Sequence, residues 1–553
     1  MGMSMWNKTG WKGLVGVGLL VLAVLLTLNA AYLAAFKTPD MFYIVNILLH
    51  LGLGVLAIVL LLIFLVRNSA FFRGSLGMAL GFSTLLAAAF GICLAIFGMT
   101  RPRSIELYCH VGFAVLALVL LVIKIRPGRP VQSAQPQITV ETNASTPARV
   151  WKWSFTLLVI SGVFYLGAVG YHHFFPNPNN FIRNPRTTPL SMYQEGGGKN
   201  SLAFPSSAQT SNGKTIPSSF FEDSESCKRC HADIYRQWES SMHHYSSFNN
   251  QWYRKAIEYM QDTVGVKPSL WCGGCHDHAL VFSNQMQTHP IREIENTKGG
   301  QAGLGCMSCH AIVHVGSTMG QGGFVIEYPG LTKYALSKNP TMRMLHDYLV
   351  RLDPKPHRAV FLKPFHRQPN EVPKFCSACH KVHLDVPVDH YRWIRGFDEY
   401  DNWQASGVSG QGARSFYYPP HPQECVNCHM PMVRSNDFGN IHGYVHSHRF
   451  AAANTAVPTS HGDEAQVKAV ESFLKGALRV DIFAVTEEPP SGITNAEMAG
   501  PASNSPQLST TFAVGEESAS GFSAAETAVV PPAKLIAPLG NVTGSLKRGQ
   551  AVR

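Results

Sequence analysis

A chain of 553 residues, 46% hydrophobic and 15% charged, has length for roughly two to four domains, and its mean hydropathy of +0.01 averages an apolar N-terminal part with a polar remainder. The formal charge of +11 does not point to nucleic acid, because Lys8, Lys12, Arg67, Arg73, Lys124, Arg126 and Arg129 flank apolar runs and no basic run is interleaved with aromatics. Twelve cysteines could pair as disulfides, but ten fall in five identical C-x-x-C pairs, which argues against such a framework.

Five stretches are apolar enough to span a bilayer, which takes about 20 residues: 14–36, 41–66, 75–99, 105–125 and 151–171. The first also resembles a secretory signal, with Lys8 and Lys12 before it and Ala30 and Ala31 within it, but its length favours an uncleaved anchor. The basic residues at the N-terminus, at 67–73 and at 124–129 share one face, which the positive-inside rule puts in the cytoplasm; Arg101 and Arg103 run against it. Five spans then leave everything after Tyr171 on the periplasmic or extracellular side of the cell (inner) membrane. Cys93 and Cys109, in spans, read as small hydrophobes.

Two histidines lie within spans, His50 about 13 Å and His110 about 8 Å from their outer ends at 1.5 Å per residue. Ionisable residues there usually serve a function. Either the pair clamps a haem b between helices, or each hydrogen-bonds on its own helix, His50 to Asn46 and His110 to Glu106. The polar stretch 127–149 reads as a cytoplasmic loop. The stretch 176–220, rich in Asn, Pro, Gly and Ser, reads as a flexible linker. His172 and His173 read as residues of the membrane edge.

From 221 to 461 the chain changes character. Each C-x-x-C pair is followed by histidine: Cys227, Cys230 and His231; Cys272, Cys275 and His276; Cys306, Cys309 and His310; Cys376, Cys379 and His380; Cys425, Cys428 and His429. C-x-x-C-H is the attachment signature of haem c. Residues three and four apart share a helix face, so two thiols reach the two vinyl groups while the imidazole turns in to the iron. Zinc sites would use the pairs two at a time, and five is odd. Five haem c groups would also add roughly ten propionate charges, offsetting the basic excess. With only some 40 residues per haem, short helices and loops are expected to wrap the haems in place of a conventional apolar core.

The stretch 227–243, CKRCHADIYRQWESSMH, resembles the cytochrome c554 (c554 and c-prime) multihaem family, in which C-x-x-C-H-x6-W-x-x-S-x-H is matched by Trp238, Ser241 and His243. The resemblance implies that His243 is an axial ligand, with His244 the register alternative. CHMPMV followed by SHRF resembles the closing element of the same family and implies His448 as a ligand, with His446 second. His314, His383 and His390 are further distal candidates, followed by His346, His357 and His366. His278, His289, His421 and His461 read as surface or supporting groups. All five motifs end in His, and the histidine surplus favours six-coordinate haems and electron transfer over catalysis.

From 462 the tail is Ser, Ala and Pro rich. Within it, 467–483 reads as a packed helix or strand, 487–527 as linker, and the last twenty residues as a strand-like piece without partner strands, the start of a truncated β-rich domain. The expected fold class is mainly α: a bundle of about five transmembrane helices followed by a pentahaem domain. The expected function is electron transfer between a membrane donor, quinol or a partner subunit, and an outer acceptor. The alternatives are a multihaem oxidoreductase (or quinol dehydrogenase) acting on a small nitrogen or sulfur compound, and a haem subunit of a larger assembly.

Overall fold

The computed structural model describes residues 11–126, 145–389, 393–412, 420–477, 485–486, 535–536 and 545. The chain divides into two compact units, Met1–Ala469 and Val470–Arg553.

The first unit begins with five long helices, α1 (Trp11–Ala35), α2 (Met41–Arg67), α3 (Ser75–Phe97), α4 (Ser104–Ile125) and α5 (Ser145–Phe174). All five are long and apolar enough to cross a membrane. Their ends are written in the sequence. Asp40 caps α2 by accepting from the Tyr43 amide at 2.7 Å, and Gly74 and Gly98, both at positive φ, bracket α3. α1 packs on α2 and α5, and α3 on α4. Helix α5 starts before the expected 150, and most of the expected 127–149 loop lies outside the described residues.

The polar part sits on one end of these helices. The helix Pro340–Leu352 and its successor Lys355–Phe361 bring Leu352 into a buried cluster with Tyr43 and Ile47. The Tyr43 hydroxyl meets Asp353 Oδ2 at 2.8 Å, Lys355 Nζ donates to the Leu33 carbonyl at 2.6 Å, and the Tyr348 hydroxyl donates to the Ala95 carbonyl at 2.8 Å. The Met99 amide donates to the Arg351 carbonyl at 2.9 Å. Arg101 donates to the Gly439 carbonyl at 3.0 Å, while Arg103 pairs with Glu106 at 3.2 Å and lies over the Phe97 ring. The two arginines that run against the positive-inside pattern are thus committed to structural contacts. Arg67 and Lys124 close α2 and α4 at their opposite ends.

Residues 176–220 are not a linker. Ala203, Ala208, Ile216 and Phe220 are buried in the main core with Phe221, Phe282, Phe324 and Phe365. β1 (Gln209–Thr210) pairs in parallel with β3 (Phe324–Ile326), which pairs antiparallel with β2 (Ile312–Val315). Isolated apolar residues among turn formers fill this core, which the composition of the stretch hid. A conventional apolar core therefore exists beside the motifs, contrary to expectation. Two smaller strand pairs complete the region: β4 (Lys381–Leu384) with β5 (Ile394–Asp398), and β6 (Met432–Arg434) with β7 (Tyr444–His446), both antiparallel.

The expected packed stretch at 467–483 opens in a helix, Glu464–Leu474. In the second unit, Val485–Thr486 pairs antiparallel with Leu535–Ile536, so the closing strand-like piece does have a partner. The expected linker at 487–527 lies outside the described residues.

Candidate functional site

Each C-x-x-C-H motif is wound into about one helical turn. The amide of His231 donates to the Cys227 carbonyl at 2.8 Å and that of His380 to the Cys376 carbonyl at 3.0 Å. Cys306–His310 and Cys425–His429 are complete short helices, and Cys272, Cys275 and His276 end the helix Val266–His276. This turn puts both thiols and the imidazole at one place, as thioether attachment needs. The motifs also touch one another. Thiols meet as Cys227 with Cys306, Cys275 with Cys379, and Cys376 with Cys425, and all twelve cysteines are free.

Four of the five motif imidazoles share one hydrogen-bonding pattern. Nδ1–H donates from His276 to the Ser246 carbonyl at 2.8 Å, from His310 to the Phe361 carbonyl at 2.7 Å, and from His429 to the Ala451 carbonyl at 2.8 Å. His231 Nδ1–H donates to the Asp437 carboxylate at 2.9 and 3.0 Å. A carbonyl or carboxylate oxygen only accepts, so the proton is on Nδ1 and Nε2 is left as a lone pair, the form that binds iron. Burial keeps His276 and His310 below the usual imidazole range. At His231 burial is the largest single influence and acts the same way, but the Asp437 hydrogen bond and the negative charge of Asp437 together carry the net shift upward.

Three motif histidines face a second histidine. Ring centres are 6.4 Å apart for His231 and His357, 6.4 Å for His310 and His448, and 6.1 Å for His380 and His243. Two imidazoles on opposite faces of one metal, with bonds of about 2 Å and ring radii of about 1.2 Å, have centres about 6.3 Å apart. His448 Nδ1–H donates to the His446 carbonyl at 2.9 Å, again leaving Nε2 free. Burial pushes His243 down to about 3 and His357 and His448 to about 4, so all three rings are neutral. These residues fit haem iron held between paired histidines.

Residues 226–311 match the family model for cytochrome c554 and c-prime. This stretch is a c554-type multihaem cytochrome domain, which implies covalent haem c, and it holds the first three motifs. The match ends before the closing element around His448, so it is shorter than the resemblance read from the sequence. No curated protein and no solved structure is significantly similar to this chain.

Within the c554-type domain the W-x-x-S-x-H pattern has a visible cause. Trp238 Nε1 donates to the Leu304 carbonyl at 2.7 Å, and the Leu304 amide donates to the His243 carbonyl at 2.8 Å. The indole thus clamps the loop before the third motif against the backbone that carries His243. Gly303 makes the approach feasible: at positive φ, a Cβ there would collide with the His244 carbonyl. His244 instead donates to the Glu239 carbonyl and packs on Trp238.

The other candidates are placed less favourably. His383 Nε2 is engaged by the Glu195 carboxylate at 2.9 Å, so the structure puts this expected ligand in a buried hydrogen bond. His366 lies 5.3 Å from His310, but its Nδ1 accepts from the Lys363 amide, which puts its proton on Nε2. His314 is anchored by the Asn179 carbonyl at 3.3 Å, and His346 by Asp347 at 3.1 Å. His390 lies outside the described residues. His278, read as a surface or supporting group, is buried among Phe221, Phe282 and Phe324 and donates to the Gly274 carbonyl. Burial pushes it down to about 3. Asp437 was missed: nothing marks one Asp in a turn 206 residues from His231. His276 stacks on Tyr253 at 4.5 Å, whose hydroxyl donates to Asp277 at 2.5 Å. Burial pushes Asp277 up to about 7, against hydrogen bonds from Ser247 and Tyr253.

Proposed function

We propose that the chain is a membrane-anchored pentahaem cytochrome that conducts electrons between a membrane donor, quinol or a partner subunit, and an acceptor on the periplasmic or extracellular side. The observation that carries this reading is the set of three motif histidines that each face a second histidine, at 6.4, 6.4 and 6.1 Å between ring centres. Haem iron, when bound, supplies reversible one-electron chemistry without bond making. The chain's own work would be to offer iron a histidine from either side at three of the five motifs and to keep the motifs in contact. Closed coordination favours conduction over substrate chemistry.

Orientation follows from charge. The polar part docks on the helix ends opposite Arg67 and Lys124, and the positive-inside rule puts those basic ends in the cytoplasm. The motifs then lie in the compartment where haem c attachment occurs. The second reading, an oxidoreductase, draws on His276, which stacks on Tyr253 with Asp277 beside it, where three of the other four motif histidines face a histidine.

Intact mass and haemochrome quantitation of the purified full chain test the main reading. It requires five covalent haems per chain, and fewer would sink the count. Carbon monoxide added to the reduced protein separates the two functions. No spectral change is expected of a conductor, whereas a one-haem response abolished by His276→Ala would favour the enzyme.

A further inference from the structure

The motifs leave one pair of histidines unused. His50 on α2 and His110 on α4 stand with ring centres 6.5 Å apart and planes at 84°. That separation matches the three pairs of the motif region, although it lies inside candidate membrane spans.

Both tautomers are fixed. His110 Nδ1–H donates to the Ala87 carbonyl at 2.8 Å. His50 Nδ1–H donates to Asn29 Oδ1 at 3.0 Å, and Asn29 is held in turn by donating Nδ2–H to Asn46 Oδ1 at 2.9 Å. Neither ring bonds as expected to its own helix: Asn46 reaches His50 only through Asn29, and Glu106 pairs with Arg103. Each Nε2 is therefore a lone pair with no hydrogen-bond donor among the described residues. Two such lone pairs on neighbouring rings in hydrocarbon are costly unless a cation takes them up.

The ligand count selects the cation. Among the described residues no group of three or more His, Cys, Asp or Glu could hold a metal. Zinc takes four protein ligands, or three and water. Two opposed imidazoles suit a metal that brings its own four equatorial nitrogens. The small residues agree. Gly91 on α3 lets the His110 ring lie against the helix backbone, since a Cβ there would be 2.9 Å from Cε1. One turn beyond His50, Gly54 faces open space, with nothing within 4 Å of where its Cβ would be.

We infer that α2 and α4 clamp a non-covalent b-type haem through His50 and His110. The site lies under the motif region. Tyr43, seven residues or about 10 Å up α2 from His50, touches Asp353, and Asp353 precedes His357 by four residues. Resting on the conductor reading, this makes the haem b the membrane entry point for electrons that leave through the His231–His357 pair.

The test uses the full chain in detergent. Acid-acetone extraction followed by pyridine haemochrome spectra counts extractable b and retained c haem separately. One b haem per chain is expected, lost in both His50→Ala and His110→Ala with retained c haem unchanged. Purely c-type spectra, or b haem surviving both substitutions, would overturn the site. Loss of c haem in the wild-type protein would instead sink the conductor reading and leave this one standing. If an alanine variant fails to reach the membrane, His50→Met asks the same question: the thioether keeps a ligand in place, so b haem with a raised potential is expected, and an unchanged potential refutes it. Near-perpendicular imidazole planes also require a low-spin electron paramagnetic resonance signal of large maximal g, to which the His243–His380 pair with planes at 85° contributes as well, so His110→Ala should remove one haem's share of it and an undiminished signal counts against the site.

Discussion

At the scale of single residues, the position of one proton decides which histidines can serve. His357 and His366 were indistinguishable in the sequence, yet His366 accepts through Nδ1 while His357 faces His231 across 6.4 Å. His357→Ala should open one coordination site to carbon monoxide, and His366→Ala should open none; the spectra of the two reduced variants check this. Asp437 sets the electron density on His231. Asp437→Asn withdraws a carboxylate that favours ferric iron, so one haem should titrate upward by ~60 mV, the equivalent of tenfold, in a spectroelectrochemical titration. His278 carries a pH dependence. Its folded value near 3 lies below the unfolded value of about 6.5, so the unfolded chain gains the proton first and stability is lost as pH falls from about 6.5 towards 3. His278→Phe should flatten acid unfolding in that window, and an unchanged acid midpoint would count against burial of a neutral ring.

At the scale of elements, the C-x-x-C-H turns were legible because their chemistry is local: three residue types within one helical turn. The five long helices were legible because a bilayer demands continuous apolar length. Of the histidines that face a motif, His243 and His448 were legible through the family pattern, whereas His357 was not singled out because it faces His231 from a distant segment with no pattern of its own. Residues 176–220 were misread for a related reason. Their core residues, such as Ala203, Ala208 and Ile216, follow neither a helix nor a strand period and are interrupted by Pro and Gly. The clamp from Trp238 to Leu304 is an element-scale device that the family pattern marked without explaining. Trp238→Phe leaves the Leu304 carbonyl buried without its donor, a loss of about 1–3 kcal/mol. Denaturant titration of the haem-loaded protein should show that loss, together with weakened low-spin character at the haem shared by His243 and His380.

At the scale of the whole molecule, the described membrane helices and motif region form one unit joined by specific contacts. Tyr43 with Asp353, Lys355 with Leu33, and Arg101 with Gly439 hold three different helix ends. The haem planes should therefore keep a fixed tilt to the bilayer, and orientation-dependent resonance spectra of stacked membranes would reveal it. A random distribution of tilts would mean that the docking does not hold. Removing Asp353 and Arg101 together should broaden the tilt while leaving the number of covalent haems unchanged.

The short step from the helix Pro340–Leu352 to His357 has a mechanical consequence. The same few residues that rest on the ends of α1, α2 and α3 also carry His357, the histidine that faces His231. When bilayer thickness departs from helix length, spans tilt to match it. Here that tilt would press on Asp353 and reach His357 one helical turn later. Lipid chain length becomes a control on redox behaviour, and reconstitution in short-chain and long-chain lipids should give measurably different potentials for the haem nearest the membrane.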